Sequence, residues 1–435
     1  MFENYDEMNA IQIEGQQKLE GYVEISGAKN SALPNMAATL LTSDEVVLHN
    51  IPNLLDTYMM AELLKEIGAD IYQVDEKSYS FKMVLPLKLE APFELVNKMR
   101  ASILVLGPML ARFHQAKVYH PGGCSIGSRP IDLHLDALKK MGAEIDVQEG
   151  FISATAPKGL KGAEIRFPKI TVTGTENILM AAVLAKGETV IHNAAKEPEV
   201  IDLVRLLRKM GAKIKGEGTE TIVVEGVKEL HGTEHTIIPD RIEAGTFAVI
   251  GALTEGNIVI KNYPSEYLEF VDKTFKKIGI DVLKIGENEV IIKKAKKLNP
   301  VQIETKEYPF FPTDLQAQFM TLLSLVEGKS IIIENIFENR FMHIAELKRL
   351  GADIQKGDTS RVAIIKGVKK LEGAKVNSTD LRASAAMVIA GLVAEGTTTI
   401  HNIYHLDRGY EHIDDKLKNL GAKLKRIKVS QDEKV

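Results

Sequence analysis

The sequence predicts a mixed α and β fold built from six copies of one βαβαββ unit, three copies to each of two domains. Three observations lead there. The phrase apolar, Gly, usually Ala, charged, aliphatic, seen in Ile67-Gly68-Ala69-Asp70-Ile71, returns at Gly142, Gly211, Gly279, Gly351 and Gly421, at intervals of 74, 69, 68, 72 and 70 residues. That period is too long for the usual solenoid repeats. With 435 residues and 45% hydrophobic content, the chain exceeds what one core fills, since single cores stop growing at roughly 250–300 residues. Finally, segments such as 245–253 are apolar all round, which places them inside a domain rather than on the face of a sheet.

Within each copy the elements follow in a fixed order. A polar or charged opening leads into an apolar helix, as in Gly27-Ala28-Lys29-Asn30-Ser31 before 32–41, or Thr173-Gly174-Thr175-Glu176-Asn177 before 178–185. A short β-rich run comes next: Val46-Val47-Leu48, Val118-Tyr119, Val190-Ile191, Ile258-Val259-Ile260, Ile331-Ile332-Ile333 and Thr398-Thr399-Ile400. A loop then enters an amphipathic helix that ends on the repeated glycine, the residue suited to a left-handed helix end. Alternating segments such as Glu220-Thr221-Ile222-Val223-Val224 and Asn288-Glu289-Val290-Ile291-Ile292 supply the closing hairpin. The crossings between domains are expected near 26–30 and 238–241, where no Gly/Ser-rich linker intervenes.

Composition excludes several functions. The net charge of −4 gives no global basic field for nucleic acid or a membrane surface. The run of lysines at 293–297 lacks interleaved aromatics and reads as a solvated face. Residues 1–9 hold three acidic side chains and no apolar run, unlike a signal or transit peptide. The longest near-apolar stretches, 101–111 and 383–394, fall short of the roughly 20 residues a membrane span needs. One cysteine permits no internal disulfide and suits a reducing cytoplasm. No CxxC or HExxH spacing points to a metal, and no cofactor is expected.

What recurs in all six copies is scaffold, so chemistry is sought in what does not recur. Lys29, Arg100, Arg129, Arg340, Arg382 and Arg408 fall near expected helix openings. Cations there oppose the helix dipole, and a bound anion would remove the conflict. A single such cation is as readily a surface charge; six at equivalent positions favour a ligand rich in phosphate or carboxylate. Asp314 and Asp380 also read as helix caps. The loop Pro121-Gly122-Gly123-Cys124-Ser125-Ile126-Gly127-Ser128-Arg129 places a lone thiol among glycines, five residues from an arginine. A buried inert cysteine is the ordinary alternative; here the setting favours a partly exposed thiol of perturbed acidity.

These segments resemble the enolpyruvyl transferases of the EPSP synthase family, in the branch acting on UDP-N-acetylglucosamine. The resemblance runs from Ile25-Ser26-Gly27-Ala28-Lys29-Asn30 through Lys98-Met99-Arg100-Ala101-Ser102, the Cys124 loop to His134, Glu197-Pro198-Glu199 and Pro239-Asp240-Arg241-Ile242-Glu243. It continues through Phe311-Pro312-Thr313-Asp314, Glu338-Asn339-Arg340-Phe341-Met342-His343, Thr379-Asp380-Leu381-Arg382-Ala383-Ser384 and Asp407-Arg408-Gly409-Tyr410-Glu411.

The resemblance implies an inside-out α/β prism: two domains, each of three βαβαββ repeats with buried helices and outer sheets. One would span 31–238; the other would join 1–30 to 239–435, with the active site in the interdomain cleft. The implied reaction moves enolpyruvate from phosphoenolpyruvate to the 3′-hydroxyl of UDP-N-acetylglucosamine in peptidoglycan synthesis, without metal or organic cofactor. Residue by residue, Lys29, Arg129 and Arg408 would hold the phosphate of phosphoenolpyruvate, with Arg340 and Arg382 near its carboxylate. Cys124 would be the general acid and the target of fosfomycin, and Asp314 would take the hydroxyl proton. Asn30, Asp132, Leu133, His134, Lys169, Thr171 and Val172 match positions that contact the sugar nucleotide, and Arg100 and Asp380 join the substrate-binding set. Thr171-Val172-Thr173-Gly174 departs from the commoner Ser-Val-Gly-Ala. Two alternatives remain at this stage: the shikimate-pathway enolpyruvyl transferase, which lacks the cysteine loop, and a non-catalytic sugar-nucleotide binding protein.

Overall fold

The computed structural model describes residues 9–83, 88–120, 122, 131–254, 256–294 and 296–429. Cys124 and Arg129 lie outside them. The chain divides into two compact units: residues up to 26 together with 239 onward, and 27–238. Each has its own hydrophobic core, one drawn from residues between Ala32 and Ile237, the other from Ile11 to Ile25 and Ile242 to Ala422.

Three interior helices fill the core of the 27–238 unit: Lys29–Ala38, Leu106–Phe113 and Val172–Ala182. The other unit has Arg241–Leu253, Gln316–Leu323 and Leu381–Val393. Arg241–Leu253 is buried from its first residue to Ala252, and all eight residues of Gln316–Leu323 are buried. These helices are therefore buried on every side, as the mostly apolar sequence pattern requires.

Six four-stranded sheets are formed among the described residues, all with one pairing scheme. In the third repeat, Glu164–Arg166 runs parallel to Glu188–His192, which pairs antiparallel with Thr221–Glu225, which pairs antiparallel with Lys213–Lys215. Alternating burial along these strands leaves one face on the core. Six amphipathic helices, such as Leu55–Ile67, Pro198–Lys209 and Glu269–Ile278, end at the repeated glycines, whose φ values run from +92° to +122°. Any side chain there would be strained, which explains why the phrase recurs. Lys293, Lys294, Lys296 and Lys297 are exposed.

Three of the sheets are completed by distant chain. Gly21–Glu24, the opening strand of the first repeat, pairs with Ile258–Lys261 of the fourth, and Thr233–Thr236, the opening strand of the fourth, pairs with Val46–His49 of the first. The sixth sheet takes Ala10–Glu14 between Thr397–His401 and Lys423–Ile427.

Two expected helix openings are corrected. Arg340 lies in a turn ahead of Ile344–Arg349, and Arg408 follows Tyr404–Asp407 at its C-terminal end. In the first case the Glu334 carboxylate accepts the N–H groups of Ile336 and Phe337 at 2.9 and 3.1 Å, a local alternative to helix. In the second, His412 adopts φ +44° and delays the next helix until Ile413–Asn419. Among the described residues no helix is long and apolar enough to cross a membrane.

Candidate active site

In the unit containing the C-terminal repeats, Asp314 lies in the 3-10 turn Thr313–Leu315 that feeds Gln316–Leu323. Glu334 anchors the turn by accepting the Thr313 hydroxyl at 2.9 Å, and Gln318 Nε2 donates to the Asp314 carbonyl at 2.9 Å. Asp314 is the N-cap residue of neither helix; those are Pro312 and Leu315. Its side chain is partly exposed, and each carboxylate oxygen meets one buried guanidinium: Arg340 Nη2 at 2.9 Å from Oδ1, Arg382 Nη2 at 3.0 Å from Oδ2. Asp380, by contrast, is a cap: its Oδ1 accepts the N–H groups of Arg382 and Ala383 at 2.9 and 3.1 Å. That cap fixes the helix turn from which Arg382 reaches Asp314.

Arg382 and Arg340 are each only 3% exposed, and their flat groups lie against aromatic rings, Arg382 5.5 Å from Tyr410 and Arg340 5.4 Å from Phe337. Burial works against the charge of Arg382, but Asp314, Tyr410 and Asp240 outweigh it and raise its pKa above the ordinary value. Tyr410 is held by Thr246 at 3.0 Å and Gln318 at 3.2 Å. Burial holds the pKa of His343 below the ordinary histidine value, against the pull of the Asp380 charge and with the Arg340 charge adding to the fall. Arg408 is half-buried, and burial together with its charge lowers the pKa of nearby His405.

In the 27–238 unit, Lys29 opens Lys29–Ala38 and is buried, its Nζ 3.3 Å from Asp56 Oδ2 on Leu55–Ile67. Asn30 is exposed on the same turn, and Arg100 opens the 3-10 helix Arg100–Val105. Asp132, Leu133 and His134 form the first turn of Asp132–Lys140. Thr171 caps Val172–Ala182, its hydroxyl oxygen accepting the Gly174 N–H at 3.2 Å, with exposed Lys169 just ahead. His134 Nε2 lies 3.4 Å from Thr173 Oγ1, so the openings of these two helices meet. Burial and the Arg100 charge lower the His134 pKa to about 4, against the pull of Asp132.

The structure thus brings Asp314, Arg340 and Arg382 into one group, and His134 to the turn carrying Thr171 and Val172. The family described as EPSP synthase (3-phosphoshikimate 1-carboxyvinyltransferase) matches residues 13–417. This chain belongs to that family. It is 51% identical over 95% of its length to 98% of UDP-N-acetylglucosamine 1-carboxyvinyltransferase 1 of Caldanaerobacter subterraneus subsp. tengcongensis. It is 50% identical over 97% of its length to the whole of UDP-N-acetylglucosamine 1-carboxyvinyltransferase 2 of Carboxydothermus hydrogenoformans. Among solved structures, the enolpyruvyl transferase NikO from Streptomyces tendae aligns with 97% of this chain and all of its own, at 26% identity and a TM-score of 0.87. EPSP synthase from Acinetobacter baumannii, at 20% identity and a TM-score of 0.75, covers 97% of this chain and 100% of its own and shares the fold.

Within this EPSP synthase family chain, sequence reasoning did not single out Asp56 as the partner of Lys29, Tyr410 under Arg382, or Asn177. Asn177 is fully buried on Val172–Ala182. The available signal was an amide at the junction of the polar opening 173–177 and the apolar run 178–185, because a buried amide must find partners.

Proposed function

We propose that this chain transfers the enolpyruvyl group of phosphoenolpyruvate to the 3′-hydroxyl of UDP-N-acetylglucosamine, releasing phosphate, as the first committed step of peptidoglycan synthesis in the cytoplasm. The observation that carries the reading is the Asp314 carboxylate clamped between Arg340 and Arg382. Two buried guanidinium groups form a forked anion site, and Asp314 fills it as the substrate carboxylate would. When phosphoenolpyruvate takes those donors, Asp314 is released beside the substrate as an acceptor for a proton.

The chemistry follows from that arrangement. The sugar 3′-oxygen bonds to C2 of phosphoenolpyruvate, its proton passing to Asp314, while Cys124 delivers a proton to the C3 methylene. C2 is then tetrahedral, bearing phosphate, carboxylate and the sugar ether. Loss of phosphate from C2, with a C3 proton returning to the Cys124 thiolate, restores the double bond. Lys29, Arg129 and Arg408 hold the phosphate and stabilise its departing charge. Asn30, Arg100, Asp132, Leu133, His134, Lys169, Thr171 and Val172 bind the sugar nucleotide, and Asp380 holds Arg382 in place.

Phosphate release is the test. Purified protein with phosphoenolpyruvate and UDP-N-acetylglucosamine should release phosphate, and should release none with shikimate 3-phosphate. Turnover with shikimate 3-phosphate alone would overturn the acceptor, and no turnover with either would overturn the enzyme.

A further inference from the structure

Three polar side chains are buried in the unit that carries Asp314, outside the clamp itself. Thr246 and Gln318 are fully buried on Arg241–Leu253 and Gln316–Leu323, and Tyr410 is 2% exposed. Tyr410 closes the segment Asp407-Arg408-Gly409-Tyr410. A Cβ on residue 409 would lie 2.5 Å from Leu381 Cδ1, so glycine lets this segment pack against the turn that bears Arg382. Polar groups at such depth must satisfy one another, and here the way they do so fixes where each hydrogen points.

Thr246 Oγ1 donates to the Ile242 carbonyl, one turn back, at 2.8 Å. A carbonyl can only accept, so the single Thr246 hydroxyl hydrogen is committed there. The Tyr410 hydroxyl lies 3.0 Å from Thr246 Oγ1, and since Thr246 has no second hydrogen to give, Tyr410 is the donor. Gln318 Nε2 donates to the Asp314 carbonyl at 2.9 Å, which fixes the orientation of the amide. Its other hydrogen is left for the Thr246 and Tyr410 oxygens, 3.1 and 3.2 Å away. Burial raises the Tyr410 pKa, over the opposing Arg382 charge, so the hydroxyl keeps the hydrogen it gives to Thr246. What Tyr410 has left to offer is its lone pairs, and the Arg382 guanidinium is the charged donor that interacts with them.

We propose that Thr246 and Gln318 lock Tyr410 as a permanent acceptor for Arg382, so that the guanidinium keeps its place while phosphoenolpyruvate displaces Asp314 from it, a role that rests on the functional reading above. Asp314 must leave Arg382 before it can take up a proton. A buried guanidinium left without an oxygen partner is costly and free to turn; the Tyr410 oxygen stays with it throughout the exchange. The Gln318 amide also holds the Asp314 carbonyl, so one side chain supports both the arginine and the backbone of the group that gives way to substrate. Thr246, Gln318 and Tyr410 act through Arg382 and Asp314 and are positioning residues.

Steady-state kinetics tests the lock through the split between the two substrates. Tyr410→Phe keeps the ring beside Arg382 and removes the hydroxyl. The KM for phosphoenolpyruvate should rise about tenfold, as loss of a hydrogen bond to a charged group does, while the KM for UDP-N-acetylglucosamine stays within about twofold. Thr246→Val is nearly isosteric and frees the Tyr410 hydrogen to turn toward Arg382. It should raise the KM for phosphoenolpyruvate about tenfold alone and under about twofold in the Tyr410→Phe background, whereas Thr246→Ser, which keeps a hydroxyl, should stay within about twofold of wild type. Tyr410→Phe with the KM for phosphoenolpyruvate unchanged, or with both KM values raised alike, would overturn the proposal alone. No phosphate release by wild type with either acceptor would overturn the functional reading and this proposal with it. Independently of substrate, the Tyr410 hydroxyl proton should exchange slowly with water and show a nuclear Overhauser contact to the Thr246 side chain; rapid exchange without that contact would overturn the lock itself.

Discussion

Arg426 grips Asp407 through both terminal nitrogens, Nη1 to Oδ2 at 2.9 Å and Nη2 to Oδ1 at 2.7 Å, and its Nη2 also reaches Asp414 Oδ1 at 3.0 Å. Arg426 belongs to the strand Lys423–Ile427, whereas Asp407 immediately precedes Arg408. One guanidinium thus ties the segment bearing a proposed phosphate ligand to a sheet. Burial still raises the Asp407 pKa, with the Arg426 bonds working against it, while those bonds overcome burial at Asp414 and lower its pKa. Without Arg426, Asp407 would lose both of these bonds while largely buried, and Asp414 would keep only Lys418, 3.3 Å from its Oδ2.

Arg426→Met should therefore do more harm than loss of a surface ion pair. Breaking a buried pair from one side costs about 3 kcal/mol, equivalent to roughly 6–12 °C in melting temperature for a unit of this size. The KM for phosphoenolpyruvate should rise as Arg408 loses its support. Scanning calorimetry and steady-state kinetics check both effects; a melting temperature within about 1 °C of wild type would show that the brace is idle.

Asp314→Asn separates a proton acceptor from a structural group. Asp314 is the N-cap residue of neither adjacent helix, and in the variant the amide can satisfy only one of the two arginines with oxygen. Turnover should fall by about 10²–10⁴-fold, the usual contribution of a positioned base, while sugar-nucleotide affinity stays close to wild type. Unaltered turnover per folded molecule would remove Asp314 from proton transfer.

Cys124 is tested through acidity. Cys124→Ser should lose most turnover because a hydroxyl is a far weaker acid than a thiol, whereas Cys124→Asp should keep part of it, since a carboxylic acid can also donate. Intact-mass spectrometry should find one fosfomycin adduct on wild type and none on either variant. A serine variant at the wild-type rate would end the general-acid assignment.

How far the sequence carried these conclusions depends on whether each feature is set locally. The six repeat glycines were legible because a left-handed helix end is decided within a few residues. The exchange of Gly21–Glu24 and Thr233–Thr236 between sheets was not legible in the residues themselves, and only the resemblance joined 1–30 to 239–435, since the two strands are equivalent in pattern and only distant pairing decides their partners. Arg340 and Arg408 were placed at helix openings because the pattern hides the Glu334 carboxylate and the turned backbone of His412. Asp314 and Asp380 read alike as caps; only the folded chain separates the clamp from the cap. Asn177 bonds to Gly107, Ile103 and His134 on three other helices, so its partners could be read only once those were in place.

Glu176 gives a prediction about pH. It is 2% exposed on the interior helix Val172–Ala182, and its Oε1 has no hydrogen-bond partner among the described residues. Burial pushes its pKa well above the ordinary 4.5, and the charges of Glu199 and Glu197 push it further. The folded chain therefore keeps this proton at pH values where the unfolded chain has released it. Its contribution to stability is fully present below about pH 4.5 and is lost as pH rises through the elevated folded value. Glu176→Gln, neutral at every pH and nearly isosteric, removes that loss. Wild type and variant should melt at similar temperatures near pH 5, with the variant gaining progressively as the pH is raised to 9. Calorimetric scans across that range decide it: two melting curves that stay parallel would mean that Glu176 is no more reluctant to ionise in the folded chain than in the unfolded one.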